Sequence, residues 1–250
     1  MRASRHLAAS VVLFALVGVA EAADLTVSAA SSLSNAFREL APAFEAQNPG
    51  TRLLFNFAAS DTLLAQIAKG APVDVFAAAD QETMDRAEVQ KLLLPGSRRN
   101  FVSNELVLVT PAEGGPSLSG LADLGKPGVK RVALGRPEGV PAGRYAKGAL
   151  EAAQLWPVVE AKAIYAVNVR QALDYAARGE VDAAFVYATD ALVQKDKVKV
   201  QFRVSTETAI RYPVAAVSGG RNEVEARKFI DYLLSPAGQT VLARHGFRKP

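Results

Sequence analysis

The residues in this chain whose types and spacing suggest chemistry are small hydroxyl residues placed just after short apolar runs. Ser31 and Ser32 follow the run at 25–28, and Ser60 follows the run at 53–57. Each opens an amphipathic pattern of helical period. The first turn of a helix leaves backbone N–H groups unpaired, and its dipole stabilises an anion there by about 0.3–1 kcal/mol, up to ~2 kcal/mol when partly buried. Two further junctions, Val140-Pro141-Ala142-Gly143 and Asn168-Val169, open helical patterns with apolar residues, so they offer only backbone donors. Tyr187 closes the apolar run Ala183–Tyr187, where a strand delivers a side chain to a cleft and a phenol adds a neutral donor. A serine before a helix is, taken singly, an N-cap. Four such junctions facing one cleft would hold a small dianion without a buried Lys or Arg.

Other chemistries are poorly served. There is no cysteine, so disulfides, thiolate nucleophiles and Cys-based metal sites are excluded. Histidine occurs only as His6 and His245, and a Ser-His-Asp triad or His-based metal site would have to be built around His245. Lys+Arg exceeds Asp+Glu by 29 to 25, a mild excess despite a pI near 9.3, so no nucleic-acid partner is expected. Half of the 250 residues are hydrophobic and 22% are charged, which suits a folded chain with one large core or two small ones.

The elements that must position these residues alternate between short apolar runs and helical patterns, the signature of α/β units with a largely parallel sheet. Strands are predicted at 25–28, 53–57, 73–77, 106–109, 132–134, 183–187 and 214–217. In the first helix, Leu33, Ala36, Phe37, Leu40, Ala41 and Phe44 share a face. Asp80, Asn168 and Ser235 are predicted N-caps, and Gly70 and Gly179 predicted helix stops. Two α/β lobes fit this series: residues 23–104 with 211–250 as lobe 1, and 105–210 as lobe 2, with a ligand cleft between them. Ahead of them, Arg2 and Arg5 precede an uncharged run over 7–19, and Ala20-Glu21-Ala22 is a small-x-small cleavage site. About 13 residues rise roughly 20 Å, short of a ~30 Å bilayer core. A signal peptide over 1–22, cleaved after Ala22, is therefore expected, with the mature chain in the periplasm.

The residues also resemble a family, the periplasmic molybdate-binding proteins of ABC importers. The resemblance runs through Ala29-Ala30-Ser31-Ser32-Leu33, Ala59-Ser60-Asp61-Thr62-Leu63, Gly70-Ala71-Pro72-Val73-Asp74-Val75-Phe76, Ala79-Asp80-Gln81, Val140-Pro141-Ala142-Gly143-Arg144-Tyr145-Ala146, Val167-Asn168-Val169-Arg170, Val186-Tyr187-Ala188-Thr189-Asp190-Ala191 and Tyr212-Pro213-Val214. Their order and spacing together are specific. The resemblance implies a two-lobed type II periplasmic binding protein fold. It implies a receptor that binds molybdate, and tungstate, through Ser32, Ser60, Ala142, Val169 and Tyr187, the metal being reached through the oxyanion oxygens. The implied partners are a membrane permease and its ATPase. No catalysis, no resident cofactor and a monomeric chain are expected; a receptor for another oxyanion such as sulfate, or an exported α/β enzyme, are the alternatives. Asp61 departs from the pattern, since related sequences commonly carry a small uncharged residue there. An acid in the first turn of a helix favours that helix, and its carboxylate is expected to face solvent.

Overall fold

The computed structural model describes residues 23–250, so the expected signal peptide lies outside the described residues. Three β-α units open the chain: β1 (Ala23–Ala30) with α1 (Ser34–Gln47), β2 (Thr51–Ala58) with α2 (Ser60–Ala68), and β3 (Val75–Ala77) with α3 (Gln81–Val89). A single 3-10 turn, Ser31–Leu33, leads into α1. Strand β4 (Arg99–Asn104) runs almost directly into β5 (Leu106–Pro111). Then come β6 (Val132–Gly135), α4 (Pro141–Ala152), α5 (Trp156–Glu160), β7 (Ala163–Ala166), α6 (Val169–Ala177), β8 (Ala183–Tyr187), α7 (Ala188–Val193) and β9 (Val198–Val204). The chain finishes with β10 (Ile210–Ala216), α8 (Glu223–Leu234) and α9 (Pro236–Arg244).

These strands form two five-stranded sheets, ordered β2-β1-β3-β10-β4 and β7-β6-β8-β5-β9, each covered by helices to make a lobe. The sheets share one plan. Three strands are parallel (β1 with β2 and β3; β6 with β7 and β8), and one strand runs antiparallel to both of its neighbours, β10 in the first lobe and β5 in the second. The largely parallel sheets expected from the sequence are present with one reversed strand in each, since β4 and β9, antiparallel to that strand, point the same way as the three parallel ones. The antiparallel strand in each sheet is the one that enters from the other lobe, and an antiparallel neighbour needs no crossover helix to reverse direction.

Local chemistry accounts for the helix starts. Asp80 Oδ1 accepts the Thr83 N–H at 3.2 Å, Asn168 Oδ1 accepts the Gln171 N–H at 3.0 Å, and Ser235 Oγ accepts the Gly238 N–H at 3.2 Å, all as N-caps. The predicted apolar face of α1 is buried. Its Phe37 and Phe44 meet Phe229 of α8 edge-on at 5.7 and 5.2 Å between ring centres. Each such ring contributes about 1.5–3 kcal/mol by burial, so these contacts tie the C-terminal helices onto the first β-α unit. Among the described residues no helix is long and apolar enough to cross a membrane.

Candidate functional site

Parallel strands deliver their carboxyl ends to one side of each lobe, and the helices that follow begin there. β1 ends at Ala30 and hands over to Ser31 and Ser32; β2 ends at Ala58, two residues before Ser60. In the second lobe, β6 leads to α4, whose first turn holds Ala142, and β7 leads to α6, which starts at Val169. Tyr187 is the last residue of β8. Ser32, Ser60, Ala142, Val169 and Tyr187, from five chain segments, all line one cavity, joined by Ala30, Ser31, Ala58, Ala59, Ala79, Val140 and Pro141. The cavity is small, about 200 Å³ with the space at its mouth included, below the range of drug-sized ligand pockets.

Each of the five predicted site residues can offer a donor. Ala142 and Val169 lie in the first turns of α4 and α6, where a backbone N–H has no carbonyl one turn back to bond. Gly143 makes this geometry possible: a Cβ at that position would fall 1.9 Å from the Gly135 carbonyl oxygen, so only glycine lets α4 start so close to β6. Ser60 Oγ accepts the Ala79 N–H at 3.0 Å, which leaves its own proton for another acceptor. Ser32 Oγ stands 3.0 Å from the Tyr212 hydroxyl. The Tyr187 hydroxyl is buried with no partner among the described residues. Burial pushes the Tyr187 phenol well above its ordinary range, assisted by the neighbouring Tyr212, so it stays protonated and able to donate.

Asp61 does not face solvent, contrary to expectation. Its side chain is 10% exposed and its carboxylate binds two guanidinium groups, Arg86 of α3 and Arg144 of α4. The first turn of α2 packs towards those helices, and the two cations compensate the buried charge. Arg144 joins the lobes: from α4 it donates Nη2 to Asp61 Oδ2 at 2.8 Å, to Asp80 Oδ2 at 2.6 Å and to Thr83 Oγ1 at 2.9 Å, all in the first lobe. These carboxylates hold the Arg144 guanidinium well above its usual range against the desolvation that opposes them.

A second arginine crosses the cleft beside Val169. Arg170 donates Nη1 to Asn35 Oδ1 at 2.7 Å and Nη2 to the Ser32 carbonyl at 3.1 Å. Its Nε lies 2.5 Å from the buried Asp190, whose other oxygen accepts the Tyr187 N–H. Burial raises the Asp190 carboxyl above its usual range, and Arg170 opposes that rise. The expectation of a dianion cleft with no buried cation therefore needs refinement: two arginines stand next to the donor junctions, with their guanidinium groups engaged on protein oxygens. The sequence pattern alone gives neither arginine a role. The signal available was position alone, since each follows an apolar donor residue by one or two places.

Residues 25–248 match the profile of a family described as bacterial extracellular solute-binding protein. The chain is 36% identical over 246 residues to the molybdate-binding protein ModA of Escherichia coli, covering 94% of this chain and 93% of that one. It is 35% identical over 225 residues to a putative ABC transporter substrate-binding lipoprotein, YvgL, of Bacillus subtilis, covering 89% and 85%. Among solved structures, the substrate-binding domain of a putative molybdenum ABC transporter from Clostridium difficile superposes with a TM-score of 0.70 at 35% identity, covering 91% of this chain and 99% of that one. The fold, the extent of the match and the level of identity agree, and the chain belongs to the bacterial extracellular solute-binding proteins.

Proposed function

We propose that this protein is a periplasmic receptor that binds molybdate, and tungstate by the same contacts, and delivers it to an ABC permease driven by its ATPase. The observation that carries the reading is the donor set lining the cavity, built from two serine hydroxyls, one phenol and the backbone N–H groups of Ala142 and Val169. The names borne by its relatives support molybdate as the solute. A tetrahedral oxyanion without protons accepts from every one of these groups. Hydrogen phosphate brings a donor of its own, which would meet donors and leave groups unpaired at a cost of about 1–3 kcal/mol. The two lobes contribute opposite walls, so binding draws them together by hinge motion and release requires their separation. The chain works as a single copy, and nothing in this cycle is chemical turnover.

A thermal-shift panel on the mature protein tests the reading. At free ligand 100 times the dissociation constant, binding to the native state adds about 2.7 kcal/mol, which raises Tm by roughly 5–10 °C for a chain of this size. Molybdate and tungstate are expected to do this and phosphate is not. Equal shifts with sulfate would replace the molybdate assignment by a general oxyanion receptor. Ser32→Ala and Ser60→Ala are each expected to weaken binding by about 1.5–3 kcal/mol.

A further inference from the structure

Resting on the oxyanion reading, we propose that Asn104 and Tyr212 set the hydrogen-bond polarity of Ser32, so that this hydroxyl donates into the cavity and cannot accept from a protonated ligand. Asn104 is the last residue of β4, at the point where the chain leaves the first lobe. Its amide orientation is fixed from outside: Oδ1 accepts the Glu105 N–H at 2.9 Å, which turns the NH2 group inward. Nδ2 donates to Thr189 Oγ1 at 2.9 Å and to the Tyr212 hydroxyl at 3.2 Å. An amide nitrogen carries no accepting lone pair, so the Tyr212 oxygen must be the acceptor. The single Tyr212 proton then goes to its remaining neighbour, Ser32 Oγ, at 3.0 Å. Ser32 is thereby an acceptor on its buried side, and its own proton is left for the cavity it lines.

Asn104, Thr189, Tyr212 and Ser32 are all buried, so solvent does not supply alternative partners along this chain of bonds. The three hydroxyls of the site differ in how their polarity is set. Ser60 is fixed by a backbone N–H, which can only donate, and Tyr187 has no partner among the described residues. Ser32 alone depends on a side chain that can be changed from donor to acceptor without altering its shape. Asn104 and Tyr212 are positioning residues, and their effect is on which anions are refused.

Asn104→Asp is the discriminating variant, since a carboxylate of the same size still accepts from Glu105 but offers no donor. The Tyr212 proton then turns to the introduced carboxylate, Ser32 donates to Tyr212, and Ser32 presents lone pairs to the cavity. Titration of wild type and variant with molybdate and with hydrogen phosphate is expected to show molybdate binding weakened about tenfold or more and the preference over phosphate reduced. The same substitution in a Ser32→Ala background separates polarity from added charge: there its effect on molybdate should fall to within about threefold. Equal losses in both backgrounds, or no loss in the wild-type background, overturn the proposal. A ligand-free readout stands apart from the oxyanion reading. With tyrosine labelled by carbon-13 at Cζ and the Tyr212 resonance identified through Tyr212→Phe, Ser32→Ala removes the acceptor and must move that line. An unmoved line overturns the relay; failure of wild type to bind any oxyanion overturns the oxyanion reading instead.

Discussion

Replacing Arg144 by Met tests whether the closed arrangement is held by side chains as well as by ligand. Arg144 is anchored in α4 of the second lobe, and its partners Asp61, Asp80 and Thr83 all belong to the first, so these bonds exist only with the lobes together. A hydrogen bond to a charged group nets about 1.5–3 kcal/mol. The guanidinium must be desolvated to make these, and that cost is the largest influence on it. Counting the set as equivalent to one such bond leaves about 2 kcal/mol in favour of closure, or roughly a 30-fold change in affinity for a ligand that requires it. Loss of the positive charge beside an anion acts in the same direction. Isothermal titration with molybdate, at a temperature where both proteins are fully folded, is expected to show that loss in Arg144→Met. A smaller one is expected in Arg144→Lys, which keeps the charge but lacks the fork that reaches several oxygens. Affinity within threefold of wild type in Arg144→Met would refute the coupling of this cluster to binding.

Other perturbations give different signs. Asp61→Asn leaves Arg144 on Asp80, so it is expected to lower Tm by roughly 3–6 °C, for a loss of about 1–2 kcal/mol, while molybdate affinity holds or rises; a fall above tenfold by titration would show that Asp61 itself carries closure. Gly143→Ala must push the start of α4 away from β6 and is expected to weaken molybdate binding more than it lowers Tm, as measured by titration and melting; the reverse order would show that the Ala142 N–H is not a contact. The Tyr187 phenol is raised by burial, so it remains a donor to well above the ordinary tyrosine range and its contribution is lost only as pH rises through that elevated value. Binding is therefore expected to stay level from neutral pH to beyond the ordinary tyrosine pKa of about 10, and Tyr187→Phe to lower it equally across that span; a fall in wild-type affinity starting below pH ~9 would contradict the assignment.

What could be read from the residues was whatever chemistry acts locally. Asp80, Asn168 and Ser235 signal helix starts because a short side-chain acceptor reaches an N–H three residues on, and the structure has those bonds. The face of α1 shows in its spacing. Strand β4, whose sequence Arg-Asn-Phe-Val-Ser-Asn has few apolar residues, carries no such signal, and its pairing with β10 is made more than 100 residues later. Strands β7 and β9 and helices α5, α7 and α8 likewise lie outside the elements predicted from the sequence. β7 and β9 are the edges of their sheet, where one side of a strand lacks a partner and the apolar pattern is weak. Within the site, the junctions were legible because each is a contiguous strand-to-helix step. The Asp61 environment is not legible locally, because it is set by Arg144, 83 positions away, and no local rule connects them.

The interleaving of β10 between β3 and β4 also dictates an order of assembly. Every strand of the second lobe lies within 106–204, so that sheet is complete in sequence before Ile210 emerges during synthesis. The first lobe begins earlier and finishes last: until β10 arrives, β3 has an open side and β4 has no partner in its sheet. Unpaired strand edges on a growing chain invite pairing with other chains. A chain cut short before Ile210 is accordingly not a smaller receptor but one finished lobe attached to an unfinished sheet. Loss of residues 210–250 should be felt most by the β-α units made first.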